Sequence, residues 1–76
     1  MTKIVDYKDF IEINPEIRFG KPVVKNTRIS VYDVLNWLAS GLTIQEILED
    51  FPQLKENDIY ACLAYAADRE RKVRIA

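Results

Sequence analysis

The sequence has no histidine and one cysteine among its 76 residues. A Cys/His zinc site therefore cannot be assembled within one chain. A histidine general base or a Ser-His-Asp triad is equally out of reach. A single thiol makes no intrachain disulfide, so nothing ties the chain to an oxidising compartment. Glycine and proline are also scarce, with two and three residues, while 49% of the chain is hydrophobic, which argues against disorder. No run approaches the ~18 apolar residues of a membrane span. The opening residues Met1-Thr2-Lys3-Ile4-Val5-Asp6 meet charge too early to form a secretory leader. These shortages predict a cytoplasmic, non-catalytic protein with no cofactor, no metal and no membrane contact.

What is present is one small domain spanning residues 1–76. At this length the gain from apolar burial only just offsets the entropy of ordering the chain, so a partner surface would help it. The net charge of -1 hides a division. Residues 1–30 carry six Lys/Arg against four Asp/Glu, residues 31–68 one Lys against seven acids, and residues 69–76 four Lys/Arg against one Glu. A general polyanion binder does not look like this. A local nucleic-acid contact is possible at either end but not from the acidic middle.

The first thirty residues are expected to form an extended or β-hairpin arm. Ile4-Val5 and Phe10-Ile11-Glu12-Ile13 have strand character, with Ile11 and Ile13 alternating on a half-buried edge. Asn14-Pro15 and Gly20-Lys21-Pro22 are turn signals, and Ile17-Arg18-Phe19 between them is expected to be extended. Val23-Val24 and Arg28-Ile29 flank Lys25-Asn26-Thr27, where Asn tolerates the left-handed backbone of a tight turn. A small hairpin is predicted there.

Residues 31–73 are expected to form a trihelical core, followed by a basic tail at 74–76. Ser30 with Asp33 approximates a capping box, and Val31, Val34, Leu35 and Leu38 repeat at helical spacing. Gly41 is a stop signal. Thr43 with Glu46 makes a second capping box for a short helix over 44–50, which Phe51-Pro52 ends. A third helix is expected over about 56–72. Glu56, Asn57 and Asp58 lie at its start, and Arg69, Arg71, Lys72 and Arg74 lie at its end, as the helix dipole favours. Helix, glycine turn, helix, turn, helix is the plan of helix-turn-helix domains, homeodomain-like or winged-helix-like.

In such domains the last helix reads DNA, yet here its first turn presents Glu56 and Asp58, a poor match to phosphates. Its centre, Ile59 to Ala67, is uncharged throughout, so more than one side should be covered. Ile59, Cys62, Leu63 and Ala66 are the expected core stripe. Tyr60, Ala61, Ala64 and Tyr65, with Trp37 from the first helix, are candidates for an interface with a second copy of the chain, because small residues allow close approach and tyrosine suits interfaces. The alternative is a central core helix whose tyrosine hydroxyls stay wet. The candidate nucleic-acid contacts are Lys21, Lys25, Asn26, Thr27 and Arg28 in the arm, set against the plainer reading of a solvated loop. Cys62 is expected to be a small buried hydrophobe. Glu46, Glu49 and Asp50 are better read as a cap and a solvated face than as a metal site.

The ordered set Gly20-Lys21-Pro22, Thr27-Arg28-Ile29, Leu38-Ala39-Ser40-Gly41-Leu42-Thr43, Glu46-Ile47-Leu48-Glu49-Asp50-Phe51-Pro52, Leu54, Asp58-Ile59 and Ala61 to Ala67 resembles the small prokaryotic family catalogued as domain of unknown function 433. The resemblance covers roughly residues 4–70. Two positions depart from the usual pattern: Asn26 stands where a glycine is common, and Lys55 where a threonine caps the third helix. Some family members resemble antitoxins encoded beside a PIN-like nuclease toxin. The resemblance thus implies a non-catalytic regulatory module that binds such a toxin, operator DNA or both as a homodimer. The alternative is a protein-interaction or structural module without nucleic acid, in which the acidic middle masks a basic partner surface.

Overall fold

The computed structural model describes residues 6–73, and the side chains of Lys72 and Val73 are outside that description. The expectations for Ile4-Val5, Lys72 and the basic tail 74–76 therefore fall outside the described residues. The fold is mainly helical. A short N-terminal β-hairpin precedes three helices in a helix-turn-helix-like arrangement.

The helices α1 (Val31–Ala39), α2 (Ile44–Asp50) and α3 (Glu56–Val73) begin where side chains satisfy orphan amides. Ser30 Oγ accepts from the Asp33 amide at 3.0 Å, and Asp33 Oδ2 accepts from the Ser30 amide at 3.2 Å. Thr43 and Glu46 repeat this reciprocal box at 3.1 and 2.9 Å. Before α3 only half of the box exists. Lys55 offers no side-chain acceptor, but its amide donates to Asp58 Oδ2 at 2.8 Å. Gly41, at φ 99°, ends α1 with a Schellman motif: its amide donates to Leu38 O, and that of Leu42 to Trp37 O, both at 3.1 Å.

The arm starts with a 3-10 turn at Tyr7–Asp9, followed by β1 (Ile11–Ile13) and β2 (Pro22–Val24). The strands are antiparallel, with Ile11 opposite Val24, Glu12 opposite Val23 and Ile13 opposite Pro22. The predicted hairpin across residues 25–27 is only partly realised. Val24 N donates to Ile29 O at 2.9 Å and Val23 bridges Ser30, but α1 starts at once and leaves no room for a strand. The ladder partner of β2 is β1. Ile13 is 62% exposed rather than half-buried, because it lies past the edge of the core that covers Ile11.

The core joins the arm to the helices through Ile11, Val24, Val31, Val34, Ile47, Leu54, Ile59, Ala61 and Cys62. Ala61, expected on an outer interface, has no exposed surface, whereas Leu63, expected in the core stripe, is 39% exposed. The buried side of α3 is rotated from its predicted position because the arm packs on it as well as the other helices. Tyr7 meets Tyr65 edge-on at 5.3 Å between ring centroids, and its hydroxyl donates to Asp68 Oδ2 at 2.6 Å.

Candidate binding surface

The connection between β1 and β2 is the most unusual stretch of backbone. Arg18, Phe19 and Gly20 take positive φ in succession, at 52°, 59° and 81°. The extended conformation expected for 17–19 is replaced by a left-handed 3-10 turn at Arg18–Gly20. Glycine accepts this backbone freely, whereas the two side-chain-bearing residues pay roughly 1–2 kcal/mol each. Contacts of the Arg18 side chain compensate. Its Nη1 donates to Arg28 O at 2.7 Å and to Asp33 Oδ2 at 3.1 Å. Burial works against the charge of Asp33, but hydrogen bonds from Ser30 and from the Arg18 guanidinium outweigh it, and the carboxyl sits below its ordinary value. Phe19, carried by this turn, is 98% exposed.

Lys25, Asn26 and Arg28 are exposed together on the next loop. Asn26 adopts φ 65°, the conformation that glycine would supply. Thr27 has another job: its hydroxyl donates to Val24 O at 2.8 Å and accepts from the Ile29 amide at 3.0 Å, closing the loop. Lys21 stands apart from this group, on the wall of a cleft.

That cleft, about 470 Å³, opens between three elements. The arm supplies Lys21 and Pro22, α1 supplies Val31, Tyr32 and Leu35, and α3 supplies Tyr65, Ala66, Arg69 and Glu70. Its floor is apolar and its rim charged. Tyr32 is 68% exposed. The Arg69 guanidinium lies 5.8 Å from the Tyr65 ring centroid, and its Nη1 donates to Tyr65 Oη at 3.4 Å. Ile13, opposite Pro22 in the ladder and on the same face of the ribbon, extends the apolar strip outward.

The remaining predicted interface residues lie elsewhere. Trp37 stacks on Phe51, centroids 4.4 Å apart and planes 11° from parallel, at the joint of α1 and α2. Tyr60 is 42% exposed and Ala64 half-buried on α3. Of the sequence candidates, then, only Lys21 and Tyr65 meet in the cleft. Pro22, Tyr32, Leu35, Ala66 and Arg69 in the cleft, and the exposed Phe19 outside its lining, were not anticipated. Tyr32 carried one usable signal, a large aromatic one position off the apolar face of its helix.

Reactive chemistry has little foothold. Cys62 has no exposed surface, and burial, assisted by the Asp58 charge, pushes its thiol up to about 12. Among the described residues, no three His, Cys, Asp or Glu side chains gather to hold a metal ion, and no helix is long and apolar enough to cross a membrane. The Asp68 carboxylate, by accepting from the Tyr7 hydroxyl, raises the tyrosine above its ordinary value.

Fold and surface together define a small trihelical unit whose β arm and helices enclose an open apolar cleft. Residues 11–66 match the family described as "Protein of unknown function (DUF433)", and the chain belongs to that family. It is 36% identical over 59 residues to the uncharacterized protein y4eO of Sinorhizobium fredii, a match covering 78% of this chain and 27% of that protein. The crystal structure of a DUF433 member from Anabaena variabilis superposes with a TM-score of 0.76 at 27% identity, over 82% of this chain and 61% of the other. The chain thus spans about a quarter of the curated relative and three-fifths of the crystallised one.

Proposed function

We propose that this protein is a non-catalytic regulatory module that acts as a homodimer and captures a nuclease partner in the manner of an antitoxin. The observation that carries the binding role is the open apolar cleft between the arm, α1 and α3, with exposed Tyr32 in its wall, together with the exposed apolar side chains of the arm. Ile13, Phe19 and Tyr32 are 62%, 98% and 68% exposed. A small domain gains stability by covering such residues, and rimmed apolar patches mark interaction surfaces. The acidic middle offers a second surface, complementary to a basic, RNA-handling protein. The antitoxin role follows from the resemblance of some family members to antitoxins.

A second reading, operator binding, rests on Lys25, Asn26 and Arg28, which share one exposed loop. They could meet phosphates without help from α3.

Co-expression with the product of the adjacent gene tests the main reading. Co-elution as a complex whose nuclease activity is suppressed is the expected result. Separate elution with unimpaired nuclease activity would overturn it. The operator reading predicts that Lys25→Ala and Arg28→Ala weaken binding to the upstream DNA and flatten its salt dependence.

A further inference from the structure

We infer that Phe19 of one copy seats in the cleft of a second copy, and that its own cleft receives the partner's Phe19 in return. This rests on the homodimer proposed above and names the surfaces that form it.

One molecule carries both the knob and the hole. Phe19 stands almost fully in solvent on a left-handed turn, so it does not fill its own cleft. The turn is fastened to the body through Arg18, by Arg28 O and Asp33. A turn fastened in this way has already lost backbone freedom that binding would otherwise cost it. The cleft, at about 470 Å³, has room for a phenyl ring and offers Pro22, Leu35 and the Tyr32 and Tyr65 rings to pack on it.

Position favours a second copy as the occupant. Phe19 is two residues from Lys21, which lines the cleft, so the donating and accepting parts adjoin on one molecule. A two-fold pair needs this self-complementary arrangement, with each copy giving and taking the same contact. Charge agrees. Exposed Glu16 precedes the knob by three residues, and the cleft rim carries two cations, Lys21 and Arg69, against one acid, Glu70. Seating the ring brings the acid of one copy toward the cations of the other. Area also agrees. Taking ~200 Å² per aromatic side chain, Phe19 and Tyr32 offer about 300 Å² of the ~800 Å² each partner contributes to a stable interface. Ile13 and the cleft walls add to this.

Sedimentation equilibrium of the full chain tests the inference. Phe19→Asn removes the ring but keeps a residue that tolerates left-handed backbone. Tyr32→Asp alters the cleft at an exposed position. Each is expected to raise the dimer dissociation constant at least tenfold, with an unchanged far-UV circular dichroism spectrum. Glu16→Lys and Lys21→Glu should each weaken the dimer, and combining them should restore it in part, which lost packing alone would not do. A dimer whose dissociation constant moves less than twofold in both Phe19→Asn and Tyr32→Asp would overturn this arrangement and leave the homodimer standing. A wild-type chain that stays monomeric at several hundred micromolar would overturn both.

Discussion

The arm and the helical unit are held by different kinds of contact. Every helix start and the stop of α1 are fixed by residues within a few positions: Ser30 with Asp33, Thr43 with Glu46, Lys55 with Asp58, and Gly41 after Ser40. The arm is fixed at long range. Tyr7 reaches Asp68, 61 positions away, and Arg18 reaches Arg28 and Asp33. The locally written half leaves Tyr32, Tyr60 and Leu63 exposed. The half tied down from a distance displays Ile13 and Phe19. The division between the two parts of the chain is therefore one of contact range, neighbours for the helices and distant residues for the arm, while both display apolar side chains.

The sharpest way to break this division is through the core they share. Ile59, with no exposed surface, touches both halves through the core cluster. Ile59→Ala should cost about 2–5 kcal/mol, a large share of the roughly 4–11 kcal/mol expected for a domain of this size. Urea titration should show arm and helices unfolding together. Two separate transitions, by Trp37 fluorescence and by amide exchange in β2, would show that the halves are independent.

Caps come next. Ser30 is buried and belongs to the network that holds Arg18, whereas Thr43 is exposed and serves α2 alone. Ser30→Ala should cost about 2 kcal/mol and Thr43→Ala about 1 kcal/mol, within the range for lost caps. Equal losses in thermal denaturation would mean that the Ser30 network does not reach the arm. At Asn26, replacement by valine should cost about 1–2 kcal/mol through its left-handed φ, while glycine should change stability by only a few tenths. Equal effects in the same assay would remove the backbone explanation.

The smallest effect is the response to acid. The pKa of Asp33 is lowered in the folded protein, so its contribution is fully present above the ordinary value of 3.8 and is lost as pH falls through the lower folded value. The Arg18–Asp33 pair is about a third exposed, which limits it to about 0–1 kcal/mol. Amide exchange at Gly20 and Lys21, taken relative to each amide's intrinsic rate, should accelerate on acidification below pH 4 before α2 loosens. Uniform acceleration along the chain would contradict the division. At the other end of the scale, the raised Tyr7 contributes stability that is fully present below pH 10 and fades as pH rises through its folded value.

The same contrast explains what could be read in advance. The helix over 44–50 was legible as it stands, and the limits of 31–39 and 56–73 to within a residue, because caps and stops are local chemistry. The pairing of β1 with β2 was not, since Arg28-Ile29, just across Lys25-Asn26-Thr27, competed with Ile11–Ile13 for Val23-Val24. Arg18 and Phe19 gave no warning of their left-handed backbone, because neither favours it and the contacts that hold it come from Arg28 and Asp33. Ala61 was misplaced because an amphipathic wheel assumes one covered face, and α3 is covered by helices and arm together. The cleft escaped notice because its walls come from residues 21–22, 31–35 and 65–70, which only the fold brings together.

Cys62 gives the molecule a clock. Its thiol is shut inside α3 and held protonated up to about pH 12, so an alkylating reagent at neutral pH meets almost none of it while the protein stays closed. Labelling therefore proceeds only in the moments when α3 is lifted from the core, at a pace set by how often the thiol is open. That pace, compared with the rate of an open thiol, measures how much of the time the native state is breached. A partner that clasps the arm to the helices would slow the clock without touching the sulfur.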